Sequence, residues 1–182
     1  MTIKVSIATF NLMSLDDRPD RSPSLDERIP VLRPQLIRLD ADILCLQEIC
    51  AQHERNGRPR LEALDRLLEG TPYESFNRAS TVDRDGNYLS HHNLVILSME
   101  QHQYQHEYAP SPSYKKVTAL PEELEAREIS WERPILHAKV RLPNGAVLDV
   151  INLHLKSRRP TNIQGHKLSE RTWKTAFGWA EG

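Results

Sequence analysis

The sequence predicts an α/β protein of the α+β kind, and three observations carry that expectation. Residues 43–46 and 147–155 hold apolar side chains on both faces, as strands inside a layered fold do. Ser24 followed three residues later by Glu27 is a capping box, which opens a helix. Pro143-Asn144-Gly145 between two apolar runs signals a hairpin. A length of 182 residues, 38% of them hydrophobic and 27% charged, suits a single domain with a sizeable core.

The elements follow in order. Ile3, Val5 and Ile7 alternate and lead into Ala8-Thr9-Phe10-Asn11-Leu12, a buried strand that ends in a polar residue. Residues 16–22 form a charged loop. Behind the capping box, Leu32, Leu36 and Leu39 share one helical face, and Pro30 and Pro34 are expected to make the first turns irregular. Asp40-Ala41-Asp42 is a turn, and Ile43-Leu44-Cys45-Leu46 is an interior strand ending in Gln47-Glu48. Leu61, Leu64, Leu67 and Leu68 mark a short helix closed by Gly70. Phe76 is placed in a strand, residues 83–87 in a polar turn and residues 93–98 in the next strand. Residues 101–128 read as a long excursion of the kind that serves as a binding loop. Strands at 135–142 and 146–155 flank the hairpin, and the second is expected to be covered on both sides. A helix is expected to begin near Ser169 and to bury Trp173, Phe177 and Trp179.

Composition narrows the classes. The formal charge is −1 with a pI near 6.7, without the basic excess that a tight, sequence-independent grip on long DNA draws upon. Cys45 and Cys50 are too few and too close for a disulfide scaffold and read as reduced, buried thiols of a cytoplasmic protein. The first ten residues read as a strand rather than a signal peptide, and no apolar run approaches the ~20 residues of a membrane span.

Three strands end in polar groups directly after an apolar run: Asn11, Glu48, and Asn152 with His154. Alone, Glu48 would be a solvated strand terminus, Asn11 a turn residue and His154 a hydrogen-bonded core histidine. Together they point to one rim of a sheet, where folds of this kind build their sites. The neighbouring His91 and His92, taken as strand residues, would face opposite ways and are expected to be structural.

The motifs around these residues resemble those of the endonuclease/exonuclease/phosphatase superfamily. Ala8-Thr9-Phe10-Asn11-Leu12 is similar to its first-strand motif, and Asp42-Ile43-Leu44-Cys45-Leu46-Gln47-Glu48 to its second. Residues 93–98, Glu132-Arg133-Pro134 and Asn152-Leu153-His154-Leu155-Lys156-Ser157 resemble three further elements, all in family order. The resemblance implies two packed mixed β-sheets flanked by helices, a four-layer sandwich. It also implies Glu48 as carboxylate ligand of Mg²⁺, with Mn²⁺ as the alternative, since hard cations prefer oxygen and need few protein ligands. Asn11 would hydrogen-bond the phosphate or a metal-bound water, His154 would contact a phosphate oxygen, Asn152 would support the strand end, and Arg133, Lys156 and Asn93 would help hold the phosphate.

The family's Asp-x-Asn and Ser-Asp-His elements, which it places in its C-terminal half, find no match after residue 157. The expectation is therefore a single, C-terminally truncated domain over residues 1–182, weak or inactive on its own, whose exposed edges a partner or a second copy would cover. The leading reading is a metal-dependent phosphodiesterase or nuclease acting on a nucleic acid or a small phosphoester. The alternatives are a non-catalytic short form that binds a phosphorylated ligand or serves as an assembly module, and a small-substrate phosphomonoesterase.

Overall fold

The structure is a computed structural model. It describes residues 4–52, 57–99 and 133–155 in full, together with the backbone pairing of short strands at 102–103, 114–116, 127–129, 167–169 and 172–173. The arrangement is α+β, with two β-sheets packed face to face and helices over the outer face of the first.

The first sheet has the order β1-β2-β4-β3, built from β1 (Ile7–Leu15), β2 (Ile43–Ile49), β3 (Asn77–Ser80) and β4 (Asn93–Ser98). β1 and β2 run parallel, while β4 is antiparallel to both β2 and β3. Parallel strands need a crossover, which α1 (Leu25–Leu39) provides. Its start is the expected capping box: the Ser24 side chain accepts from the Glu27 N–H, and the Glu27 carboxylate accepts from the Ser24 N–H at 2.8 Å. The helix runs through Pro30 and Pro34 without a break, because packing of Leu25, Leu36 and the partly buried Ile29 and Leu32 outweighs two lost donors. α2 (Glu62–Leu68) buries Leu64, Leu67 and Leu68 beside it, and Gly70 follows with a φ of 71°. Phe76 precedes β3 rather than joining it, its ring edge-on to Tyr73 at 5.0 Å.

The second sheet has the order β5-β8-β9, from β5 (His102–Gln103), β8 (Ile135–Arg141) and β9 (Val147–Leu153). β8 and β9 form the expected hairpin, with Gly145 at a φ of 84° and its N–H donating to Leu142 O at 2.8 Å. Within residues 101–128 the described part is the pairing of β6 (Tyr114–Lys116) with β7 (Arg127–Ile129). Where a helix was expected from Ser169, β10 (Lys167–Ser169) instead pairs antiparallel with β11 (Thr172–Trp173). Thr172 and Trp173 are strand-favouring side chains, which outweighs the weak helical spacing read there. Phe177 and Trp179 lie outside the described residues.

Alternation divides the core in two. Leu44, Leu46, Val95 and Leu97 face the helices, whereas Ile43, Cys45, Leu94 and Ile96 meet Leu136, Ala138, Val140 and Val150 of the second sheet. Cys45 and Cys50 are both buried free thiols, and burial pushes Cys45 up to about 11. β9 departs from expectation: its inner side chains are buried, but Val147, Ile151 and Leu153 on the outer face are exposed. Apolar side chains show that a face favours burial, not which element covers it. Among the described residues, no helix is long and apolar enough to cross a membrane.

Candidate active site

The topology gathers five segments on one rim. Because β1 and β2 are parallel, their C-terminal ends lie side by side, with Asn11 paired to Gln47. β4 is antiparallel, so its beginning arrives at the same place, Asn93 opposite Ile49. In the second sheet, the end of β9 and the beginning of β8 meet there too, Leu153 opposite Ile135. His154 and Arg133 flank that last pair.

Strict alternation would turn Glu48 away from Gln47, toward the helices. Two local departures bring it to the rim. β1 bulges, so that three residues, Leu12 to Ser14, stand opposite Glu48 alone. Glu48 itself adopts a left-handed φ of 59°, and Met13 and Ser14 do likewise at 48° and 53°. Such conformations are strained for side chains with a Cβ and persist when their surroundings over-determine them. Here Arg28 of α1 donates to the carbonyls of Leu12, Met13 (3.2 Å) and Ser14 (3.3 Å), clamping the bulge.

The side chains converge. Asn11 Nδ2 donates to Glu48 Oε1 at 3.2 Å, and the Ser14 N–H donates to Glu48 Oε2 at 3.0 Å. Asn11 Oδ1 accepts from the Met13 N–H at 2.8 Å, which fixes the amide with its nitrogen toward Glu48. His154 Nε2 lies 3.2 Å from Glu48 Oε1 and 3.4 Å from Asn11 Nδ2. Arg133 Nη1 is 2.7 Å from His154 Nδ1 and 3.2 Å from Leu155 O. The same Nη1 lies 2.8 Å from Nε2, so Arg133 reaches both ring nitrogens, and because a guanidinium only donates, the nitrogen that takes its N–H is an acceptor.

Electrostatics agree with that neutral ring. Burial, then the nearby Arg133 charge, hold His154 below the ordinary histidine range, against the pull of Glu48. For Glu48, burial alone would favour the protonated acid. The Asn11 amide, His154, the Ser14 N–H and His92 together outweigh it, and the carboxyl lies below its usual range.

Asn152 sits beneath the rim, 2% exposed, donating to Leu46 O at 2.9 Å and Val95 O at 3.1 Å. Its Oδ1 accepts from Gln47 Nε2 at 2.7 Å, and Gln47 also reaches Thr9 Oγ1 at 2.9 Å. Asn93 is a correction. It is fully buried, its amide spent on Ile49 O and on both backbone groups of Leu89, so it offers nothing to a phosphate. Lys156 lies outside the described residues. His92, expected to be structural, stands just before β4 with its ring centroid 6.2 Å from that of His154. Gln47, Ser14 and Arg28 were also not singled out; the polar Gln47 ending an apolar strand was the one available signal.

Among the described residues, no group of three or more His, Cys, Asp or Glu is arranged to hold a metal. One charged carboxylate at a partly open rim fits a hard cation such as Mg²⁺, which keeps several waters and takes phosphate oxygens, better than it fits zinc.

No protein-family model matches the chain, and neither does any curated protein. Among solved structures, the chain is similar to an endonuclease/exonuclease/phosphatase family protein from Leptotrichia buccalis, with 12% identity, a TM-score of 0.49, and coverage of 84% of this chain and 55% of that one. It is also similar to TDP2 from Caenorhabditis elegans, at 18% identity and a TM-score of 0.42, over 84% of this chain and 36% of that one. A selenomethionine form of TDP2 gives the same values over 35% of its length. The chain spans about half the length of the first structure and about a third of the others.

Proposed function

We propose that Asn11, Glu48, Arg133 and His154 form the phosphate-and-cation part of a metal-dependent phosphoester hydrolase of phosphodiesterase or nuclease type. One observation carries the reading: residues distant in sequence place a carboxylate, an amide and an imidazole within 3.2–3.4 Å of one another at an open rim. The motif resemblance leads to the same residues.

In this reading Glu48 holds Mg²⁺ or Mn²⁺, and the cation supplies charge neutralisation on the phosphoryl oxygens. Asn11 orients the Glu48 carboxylate and offers its amide N–H to the phosphate. His154 turns a ring N–H from Glu48 to a non-bridging oxygen and stabilises the negative charge that the transition state spreads over the phosphoryl oxygens. Arg133 keeps that imidazole neutral and donates further N–H groups to the phosphate. Gln47 and Asn152 fix the height of β9, and so of His154, against β2.

The expected signature is hydrolysis of bis(4-nitrophenyl) phosphate that needs Mg²⁺, stops on chelation and falls at least about a hundredfold in Glu48→Gln. Turnover that survives chelation, or that Glu48→Gln leaves intact, would overturn the proposal. Among the described residues no second carboxylate joins the site, so this 182-residue chain alone should be slow. The same observation favours a second reading, a phosphate-binding protein that does not catalyse. Saturable phosphate binding with no turnover in any form of the protein would select it.

A further inference from the structure

The site contains an imidazole that the proposed mechanism leaves unused. His92 precedes β4 at the rim, and its backbone is left-handed with a φ of 61°. That conformation is held from both sides. Asn93 locks the turn by accepting from the Leu89 N–H (2.9 Å) and donating to Leu89 O (2.6 Å) and Ile49 O (2.9 Å). Two residues before His92, Ser90 O accepts from the Ala51 N–H at 3.3 Å. The strain therefore has a structural effect: it aims a bulky side chain at the rim rather than along the strand.

The ring that results is half-buried and lies 6.2 Å, centroid to centroid, from His154, tilted by 59°. It makes no hydrogen bond to any described residue. Its ring nitrogens are not among the buried atoms that lack a partner, so they stay open to water or to a ligand. His91, by contrast, is exposed. Burial, then the Arg133 charge, hold His92 below the ordinary histidine range, so near neutral pH it carries one N–H donor and one acceptor nitrogen. A single phosphoryl group can touch both imidazoles at this separation.

We infer that His92 is a second substrate-contacting histidine, whose ring N–H takes a non-bridging oxygen of the phosphoryl group held by His154 and Arg133. The inference rests on the reading of this rim as a phosphate site and adds a contact to it. It assigns the site a preference for a phosphoryl group with at least two accessible non-bridging oxygens.

The test uses the whole chain with Mg²⁺ and inorganic phosphate as the probe, following the histidine ring signals by NMR. His92→Gln and His154→Gln assign the two rings. Both rings are expected to shift along one saturation curve. His92→Phe should weaken phosphate binding about tenfold, and His92→Gln, which keeps a donor, by less than about threefold. If His154 responds while His92 does not, or if His92→Phe binds as the wild type does, the His92 contact is overturned and the wider reading stands. If neither ring responds, both fall. Should His92→Phe fail to fold, the wild-type titration decides by itself.

Discussion

Asn152 of β9 and Gln47 of β2 meet between the sheets at 2.7 Å, and that bond sets the position of His154, two residues further on, against Glu48, the neighbour of Gln47. Both residues are buried, 2% and 6% exposed, so neither is free to exchange this partner for water. Asn152→Leu takes the Asn152 amide from the carbonyls of Leu46 and Val95 and leaves the Gln47 amide with Thr9 and Cys45 alone, and should cost about 3 kcal/mol in urea unfolding. Gln47→Met should cost about 2 kcal/mol, and the double variant should cost less than the sum, since it removes both ends of one bond. Strictly additive losses would show that the two side chains are not coupled.

His154→Ala should act on turnover rather than on binding. In any form of the protein with Mg²⁺-dependent hydrolysis, kcat should fall about a hundredfold while KM moves by less than about threefold, because the imidazole meets charge that develops along the reaction. Steady-state kinetics decide the matter. A raised KM with unchanged kcat would make His154 a ground-state binding group instead.

The two rim histidines should also leave a mark on stability. His92 and His154 both titrate below their ordinary value of 6.5 in the folded state. As the pH drops below that value, the unfolded chain takes up protons that the folded chain refuses, so stability falls until the folded rings are protonated as well. Glu48, held below 4.5, adds a loss of the same sign at still lower pH. Melting temperature should therefore begin to fall near pH 6.5, and a His92→Gln, His154→Gln double variant should flatten that first part of the decline. The same early slope in wild type and variant would contradict the shifts.

Local signals in the sequence were the most legible. The capping box at Ser24 and Glu27 and the turn at Gly145 need only neighbouring residues, and both stand in the structure as read. The meeting of Asn11, Glu48 and His154 was legible because polar residues ending apolar strands share a rim once the strands are ordered. What makes the meeting possible was not legible. The β1 bulge and the left-handed Glu48 depend on Arg28, which lies in another element and carries no local sign of its task. Asn93 was misread because a polar residue at a strand end can turn inward to satisfy the backbone as readily as outward. His92 was placed on a strand, whereas it stands at the bend before β4 with its ring beside that of His154. The exposed outer side chains of β9 show the remaining limit, since apolar character on both faces does not say what covers them.

In the proposed site Glu48 holds a divalent cation beside Asn11 and His154. Paramagnetic Mn²⁺, added at a small fraction of the protein concentration to isotope-labelled chain, tests it directly. The amide signals of Asn11, Met13, Ser14 and Glu48 are expected to broaden first, and Glu48→Gln to abolish this while the rest of the spectrum stays folded. Broadening centred elsewhere, or unchanged in Glu48→Gln, would contradict it.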